Sequence, residues 1–139
     1  MHLNVERTGD AVHFQGTNGS YDVAVASTDG QEGLSPMEMT ALSVVSCSSI
    51  DILTILEKQK QEVDAFSAEI DAKRADEPPR VFTDLHMHYE LDGAVPPDKV
   101  RRAIELSLEI YCSVSNMVDQ AATITYAFTV NGERYEQED

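Results

Sequence analysis

The sequence predicts one α+β domain over residues 1–139, with the element order β-β-β-α-β-β-α-β and central helices packed against antiparallel sheets. Three observations predict it. Short apolar/polar alternations crowd the first thirty residues. A long apolar run with a helix-start signature follows at Ser35. Two further alternating runs then stand back to back before a second helical run and a last strand. Strands are not regularly separated by helices, so a doubly wound parallel sheet is excluded. A chain of this length buries about two-thirds of its extended surface, enough for one core without metal or disulfide staples.

Each element has its own justification. Leu3 and Val5 alternate with polar residues in the first strand. Thr8-Gly9-Asp10 is a turn signal, followed by the run Ala11 to Phe14. Asn18-Gly19 signals a two-residue hairpin, and Tyr21, Val23 and Val25 alternate after it. Asp29 to Gly33 is a loop. Ser35 fits a helix N-cap, Pro36 the first helical position and Glu38 the carboxylate of a capping box, which predicts a helix from about 36 to about 60. Its first half is apolar nearly all round (Met37, Met39, Ala41, Leu42, Val44, Val45, Cys47, Ile50), so burial on most sides is expected. Strands at 63–74 and 81–91 follow. Phe66, Ala68, Ile70 and Ala72 share one face of the first; Leu85, Met87, Tyr89 and Leu91 share one face of the second. Pro96-Pro97-Asp98 opens a helical run carrying Val100, Ile104, Leu108 and Tyr111, and Ser113 or Ser115 could start a further segment. The last strand is 121–130, ended by Asn131-Gly132, and the acidic tail Glu133 to Asp139 is expected to fray.

Composition narrows the function. The formal charge is −15, with 25 acidic residues against 10 Lys and Arg. A surface this acidic repels phosphate backbones and anionic lipid head groups, which argues against nucleic acid and membrane partners. The first ten residues carry charges where a signal peptide has its apolar centre, and the apolar stretches are taken as too short to span a bilayer; a cytoplasmic protein is expected. Two cysteines in such a compartment are ordinarily reduced thiols, so a disulfide between them would be catalytic or regulatory.

Cys47 and Cys112 lie 65 residues apart, which rules out CxxC and zinc-finger spacings. The plain interpretation is two small buried hydrophobes. Cys47 lies some three turns into its helix, so a reactive thiolate there needs a cationic neighbour from another segment; Arg7, Arg74, Arg80, Arg101 and Arg102 are the arginine candidates. His86 and His88 point to the same side of a strand between Asp84 and Glu90, but a solvated polar face explains them without a metal, and neither metal nor cofactor is expected. Glu38 is explained by capping. Ser46, Ser48 and Ser49 belong to no G-x-S-x-G elbow, and neither a P-loop nor G-x-G-x-x-G occurs.

The run Ser35-Pro36-Met37-Glu38-Met39, then Val45-Ser46-Cys47 and a long helix, resembles the start of the central helix in the OsmC/Ohr family. Glu109-Ile110-Tyr111-Cys112-Ser113-Val114-Ser115 looks like that family's second cysteine motif, and the element order is similar along nearly the whole chain. The Ser35-to-Met39 form looks most like the YhfA-like branch. The resemblance implies an intertwined homodimer in which two central helices are wrapped by sheets from both chains. It further implies a thiol peroxidase acting on organic hydroperoxides: Cys47 attacks and becomes a sulfenic acid, Cys112 condenses with it to a disulfide, and a dithiol reductant reopens the bond. Peroxidase members carry a glutamate ten residues before the first cysteine and an arginine in the N-terminal β region. Here the first position is Met37, with Glu38 nine residues before Cys47 and about 180° from it around a helix; Arg7 is the arginine available. Cys47 and Cys112, with Glu38 and Arg7 as weaker candidates, are therefore the expected catalytic set. The rival expectation is a non-catalytic dimer whose apolar pocket around the cysteines binds a small hydrophobic or thiol-reactive ligand.

Overall fold

The computed structural model describes residues 1–9, 12–27 and 32–139. The expected turn at Asp10, the start of the run at Ala11 and the loop residues Asp29, Gly30 and Gln31 lie outside them. The chain divides into two compact units, Met1–Thr40 and Ala41–Asp139.

The first unit is a three-stranded antiparallel sheet of β1 (Asn4–Arg7), β2 (Phe14–Thr17) and β3 (Asp22–Val25), in that order. The β2–β3 turn falls where expected but one residue on from an Asn-Gly loop: Thr17 pairs with Asp22, the Asn18 amide donates to the Tyr21 carbonyl at 3.3 Å, and Gly19-Ser20 form the tip. The Asn18 carboxamide oxygen accepts from the Ser20 and Tyr21 amides at 2.9 Å, and Gly19 takes the positive φ the turn needs. Leu34 bridges β3 at Val25. Gly33 just before it has φ +121°, and a Cβ there would stand 2.6 Å from the Ala24 carbonyl oxygen, so only glycine fits.

Helix α1 (Pro36–Lys58) opens with the expected capping box. The Ser35 amide donates to the Glu38 carboxylate at 2.9 Å, and the Glu38 amide donates to Ser35 Oγ at 3.2 Å. It runs unbroken for 23 residues and is, by length and composition alone, apolar enough to cross a membrane; one-third of its most apolar stretch is buried. That corrects the expectation that no apolar stretch is long enough. Burial on most sides is corrected as well: Val44, Ile52 and Leu56 are fully buried, but Leu42 is 49%, Ile50 66% and Leu53 37% exposed. A single chain covers one side of this helix and leaves Leu42, Ile50 and Leu53 open on the other, with the exposed Ser46 among them.

The second unit holds a four-stranded sheet in the order β4 (Ala65–Arg74), β5 (Phe82–Asp92), β6 (Thr123–Val130), β7 (Glu133–Glu136). Leu85, Met87, Tyr89 and Leu91 on β5 are fully buried, as their alternation predicts. On the other face His86 Nδ1 and His88 Nε2 lie 2.8 Å from the Thr125 and Thr129 hydroxyls, and His88 Nδ1 lies 3.7 Å from the Glu69 carboxylate. Two details differ from the sequence expectation. β5 and β6 pair in parallel, because the chain between them runs through helices rather than a tight turn. The tail from Glu133 to Glu136 is a strand rather than frayed chain. Asn131 and Gly132 both take positive φ and turn β6 into β7, and the Arg101 guanidinium donates to the Glu136 carbonyl at 2.8 Å while lying 5.1 Å over the Phe128 ring.

The crossover between β5 and β6 consists of α2 (Pro97–Leu106), a π-helical turn (Ser107–Tyr111) and α3 (Ser113–Val118). There are therefore two helices joined by a π turn, with the break at Cys112, whose backbone is extended (φ −75°, ψ 101°).

Candidate active site

Everything at the cysteines is built from α1 and the break in the crossover. Cys47 and Asp51 are four residues apart on α1, so their side chains stand on one face, one turn apart. Cys112 is placed by the π turn. Its amide donates to the Ser107 carbonyl at 2.7 Å, the five-residue spacing that defines such a turn. It is then the N-cap of α3: its Sγ accepts from the Ser115 amide at 3.3 Å, and its carbonyl accepts from Ser115 Oγ at 3.2 Å and Asn116 Nδ2 at 2.8 Å. These bonds fix both the backbone and the sulfur of Cys112.

The two segments meet. The sulfurs of Cys47 and Cys112 and a carboxylate oxygen of Asp51 all lie within 4.8 Å of one another. Ser107 ties the arrangement together: its hydroxyl donates to Asp51 Oδ2 at 3.0 Å, while its carbonyl holds Cys112. Both thiols are free. Cys112 is fully buried and Cys47 is half-buried, so reagents reach Cys47 first. Burial pushes the Cys112 thiol up from its ordinary range, and the side chain of Cys47 adds to that; the Ser115 hydrogen bonds pull the other way. Cys112 accordingly holds its proton to higher pH than an ordinary thiol.

Below this trio is a packed polar contact. Ser48 Oγ and Tyr89 Oη are 2.6 Å apart, and the Tyr89 hydroxyl also reaches Met87 Sδ at 3.2 Å. Burial holds the Tyr89 phenol well above its usual range, so it stays neutral. It ties β5 to the Ser48 turn of α1, next to Cys47.

The sequence candidates divide as follows. Cys47 and Cys112 come together. Glu38 is engaged in the capping box, nine residues before Cys47 on the continuous helix α1. Arg7 ends β1 in the N-terminal unit, opposite Phe14 and exposed. Asp51 was not anticipated, although its i, i+4 spacing from Cys47 was visible; what could not be seen was that Cys112 and Ser107 fold onto the same face. An open groove in the same unit is lined by Leu108, Ser115 and Asn116 together with Glu105, Glu109 and Asp119. It is acidic, and the cysteines are not among its lining residues, so it is not the apolar pocket of the rival expectation.

Comparison with known proteins gives the same direction at three levels. A family model described as OsmC-like protein matches residues 28–127. Protein YhfA of Escherichia coli (strain K12) is 34% identical over 123 residues, 87% of this chain and 92% of that protein. The crystal structure of a hypothetical protein from Aquifex aeolicus VF5 superposes with a TM-score of 0.84 at 28% identity, covering 94% of this chain and 95% of that one. An organic hydroperoxide resistance protein OsmC from Legionella pneumophila superposes with a TM-score of 0.69 at 16% identity, over 93% and 94%, a likeness of fold.

Proposed function

This chain belongs to the OsmC-like family, and from that premise we propose that it is a cysteine-based peroxidase that reduces organic hydroperoxides, with Cys47 as nucleophile and Cys112 as resolving thiol. The observation that carries the reading is the meeting of two thiols, 65 residues apart in sequence, with a carboxylate inside 4.8 Å. A disulfide needs its sulfurs at about 2.05 Å, an approach side-chain rotation of the half-buried Cys47 can supply.

The reaction balances as follows. The Cys47 thiolate attacks the terminal oxygen of the hydroperoxide; the O–O bond breaks, Cys47 becomes a sulfenic acid and the alkoxide leaves. Asp51, held by Ser107, is the carboxylate beside the sulfurs, placed to take the thiol proton and return it to the alkoxide as the alcohol departs. Cys112 then attacks the sulfenic sulfur, forming the disulfide and releasing water. A dithiol reductant opens that bond by exchange and leaves as its own cyclic disulfide. Glu38 and Arg7 are assigned no step.

The working unit in this reading is a homodimer in the cytoplasm. Leu42, Ile50 and Leu53 of α1, and Leu3, Val5 and Tyr21 in the N-terminal unit, are exposed apolar side chains that a second copy would cover. A second copy supplies a cover of matching chemistry.

The test is steady-state consumption of an alkyl hydroperoxide with dithiothreitol as reductant. The wild-type protein turns over. Cys47→Ser does not. Without dithiothreitol, Cys112→Ser reacts once and accumulates a sulfenic acid that a dione reagent traps. Consumption that survives Cys47→Ser unchanged removes the reading.

A further inference from the structure

We propose that the reduced Cys47–Asp51–Cys112 trio is also a binding site for one thiophilic divalent cation of the zinc class, which occupies the thiols and withholds them from peroxide. The proposal shares the peroxidase site but does not depend on its activity. Its basis is the donor set. Two sulfurs and one carboxylate oxygen lie mutually within 4.8 Å, drawn from three positions on two segments. Metal–sulfur bonds of about 2.3 Å and metal–oxygen bonds of about 2.1 Å in a tetrahedron place the donors roughly 3.4–3.8 Å apart. Shifts on the order of 1 Å, within rotamer relaxation, convert the trio into three ligands with the fourth position left to water.

The surroundings support the same conclusion. Asp51 is oriented by the Ser107 hydroxyl at 3.0 Å and Cys112 Sγ by the Ser115 amide at 3.3 Å, the kind of outer hydrogen bonds that orient metal ligands. Cys47 and Asp51 share the i, i+4 spacing that lets one helix face present two ligands. Deprotonating both thiols beside a carboxylate gathers negative charge in a half-buried place, which a divalent cation neutralises and protons otherwise must. The formal charge of −15 concentrates cations at the surface generally. Among the described residues, the histidine pair on β5 gathers no third donor of the kind Cys47, Asp51 and Cys112 bring together.

The experiment uses the reduced full-length protein without oxygen or peroxide. Cadmium is titrated while thiolate-to-metal charge-transfer absorption is followed, and zinc affinity is measured by competition with a chromophoric chelator. The expected result is one equivalent per chain, proton release on binding, loss of roughly half the charge-transfer intensity in Cys47→Ser, and a zinc affinity at least about tenfold weaker in Asp51→Asn, which keeps both thiols. Circular dichroism confirms that each variant is folded. Equal binding by a Cys47→Ser, Cys112→Ser double variant assigns the metal to surface acids and overturns the proposal, as does zinc affinity unchanged in Asp51→Asn. The metal-free protein is then assayed for hydroperoxide consumption. Stoichiometric binding without turnover leaves this proposal standing and removes the peroxidase reading; turnover without binding does the reverse.

Discussion

Asp51 contributes to the site through a single turn of helix. Four residues after Cys47, it reaches the same side of α1, and the Ser107 hydroxyl holds it there. The sequence shows that spacing but not its meaning, because the partner side chains arrive from a segment more than fifty residues away. Cys112 shows the same limit: its motif and its burial are legible, its place as the N-cap of α3 beside Cys47 is not. That burial makes an ordered chemical prediction. At pH 8 a small alkylating reagent modifies the half-buried Cys47 well before Cys112, read by peptide mass spectrometry over time; equal rates contradict the assigned roles. Burial also sets a pH dependence. The Cys112 thiol is neutral when protonated, and its pKa is raised in the folded chain above the ordinary thiol value. The stability tied to that proton is therefore complete below the unfolded value and is lost as pH rises through the folded one. The melting temperature of the reduced protein should fall from pH 8.5 upward (on the order of the unfolded thiol pKa), and fall less steeply in Cys112→Ser. An identical slope in the two proteins counts against a protonated, buried Cys112.

Helix α1 and strand β5 illustrate what patterns reveal about elements. The capping box at Ser35 and Glu38 and the alternation from Leu85 to Leu91 are local signals, and both form as expected. The exposed stripe at Leu42, Ile50 and Leu53 is not local. A helix apolar on most of its circumference carries no mark of which side its own chain will cover. β7 was hidden for a related reason, since four charged or aromatic residues after Asn131-Gly132 resemble a tail until Arg101 and Phe128 fold back to meet them. The parallel pairing of β5 with β6 follows only once the intervening segment is known to cross over as helices. Between α1 and β5 the Ser48–Tyr89 bond is the testable joint. Ser48→Ala leaves a buried phenol with only the Met87 sulfur and should cost about 1–3 kcal/mol in urea unfolding. Adding Tyr89→Phe should recover part of that loss; strictly additive costs contradict a shared bond.

At the scale of the whole molecule, the α+β class was legible from the order of strands and helices and the family from two cysteine motifs in order, and the family model and the fold agree with them. The assembly is a proposal with its own consequence. Ile50→Glu places a charge on the open face of α1 without touching the core of its own chain, so it should leave the fold intact and yield a 15.3 kDa particle in sedimentation where the wild type gives twice that mass. A wild type that already sediments at 15.3 kDa at micromolar concentration contradicts the dimer. The most direct measurement of the central claim is mass spectrometry of the reduced protein after one equivalent of an organic hydroperoxide, with and without thiol trapping. The account predicts a rapid loss of both free thiols and a peptide pair linked through Cys47 and Cys112. Two thiols that remain free and trappable, with the hydroperoxide unconsumed, would contradict it.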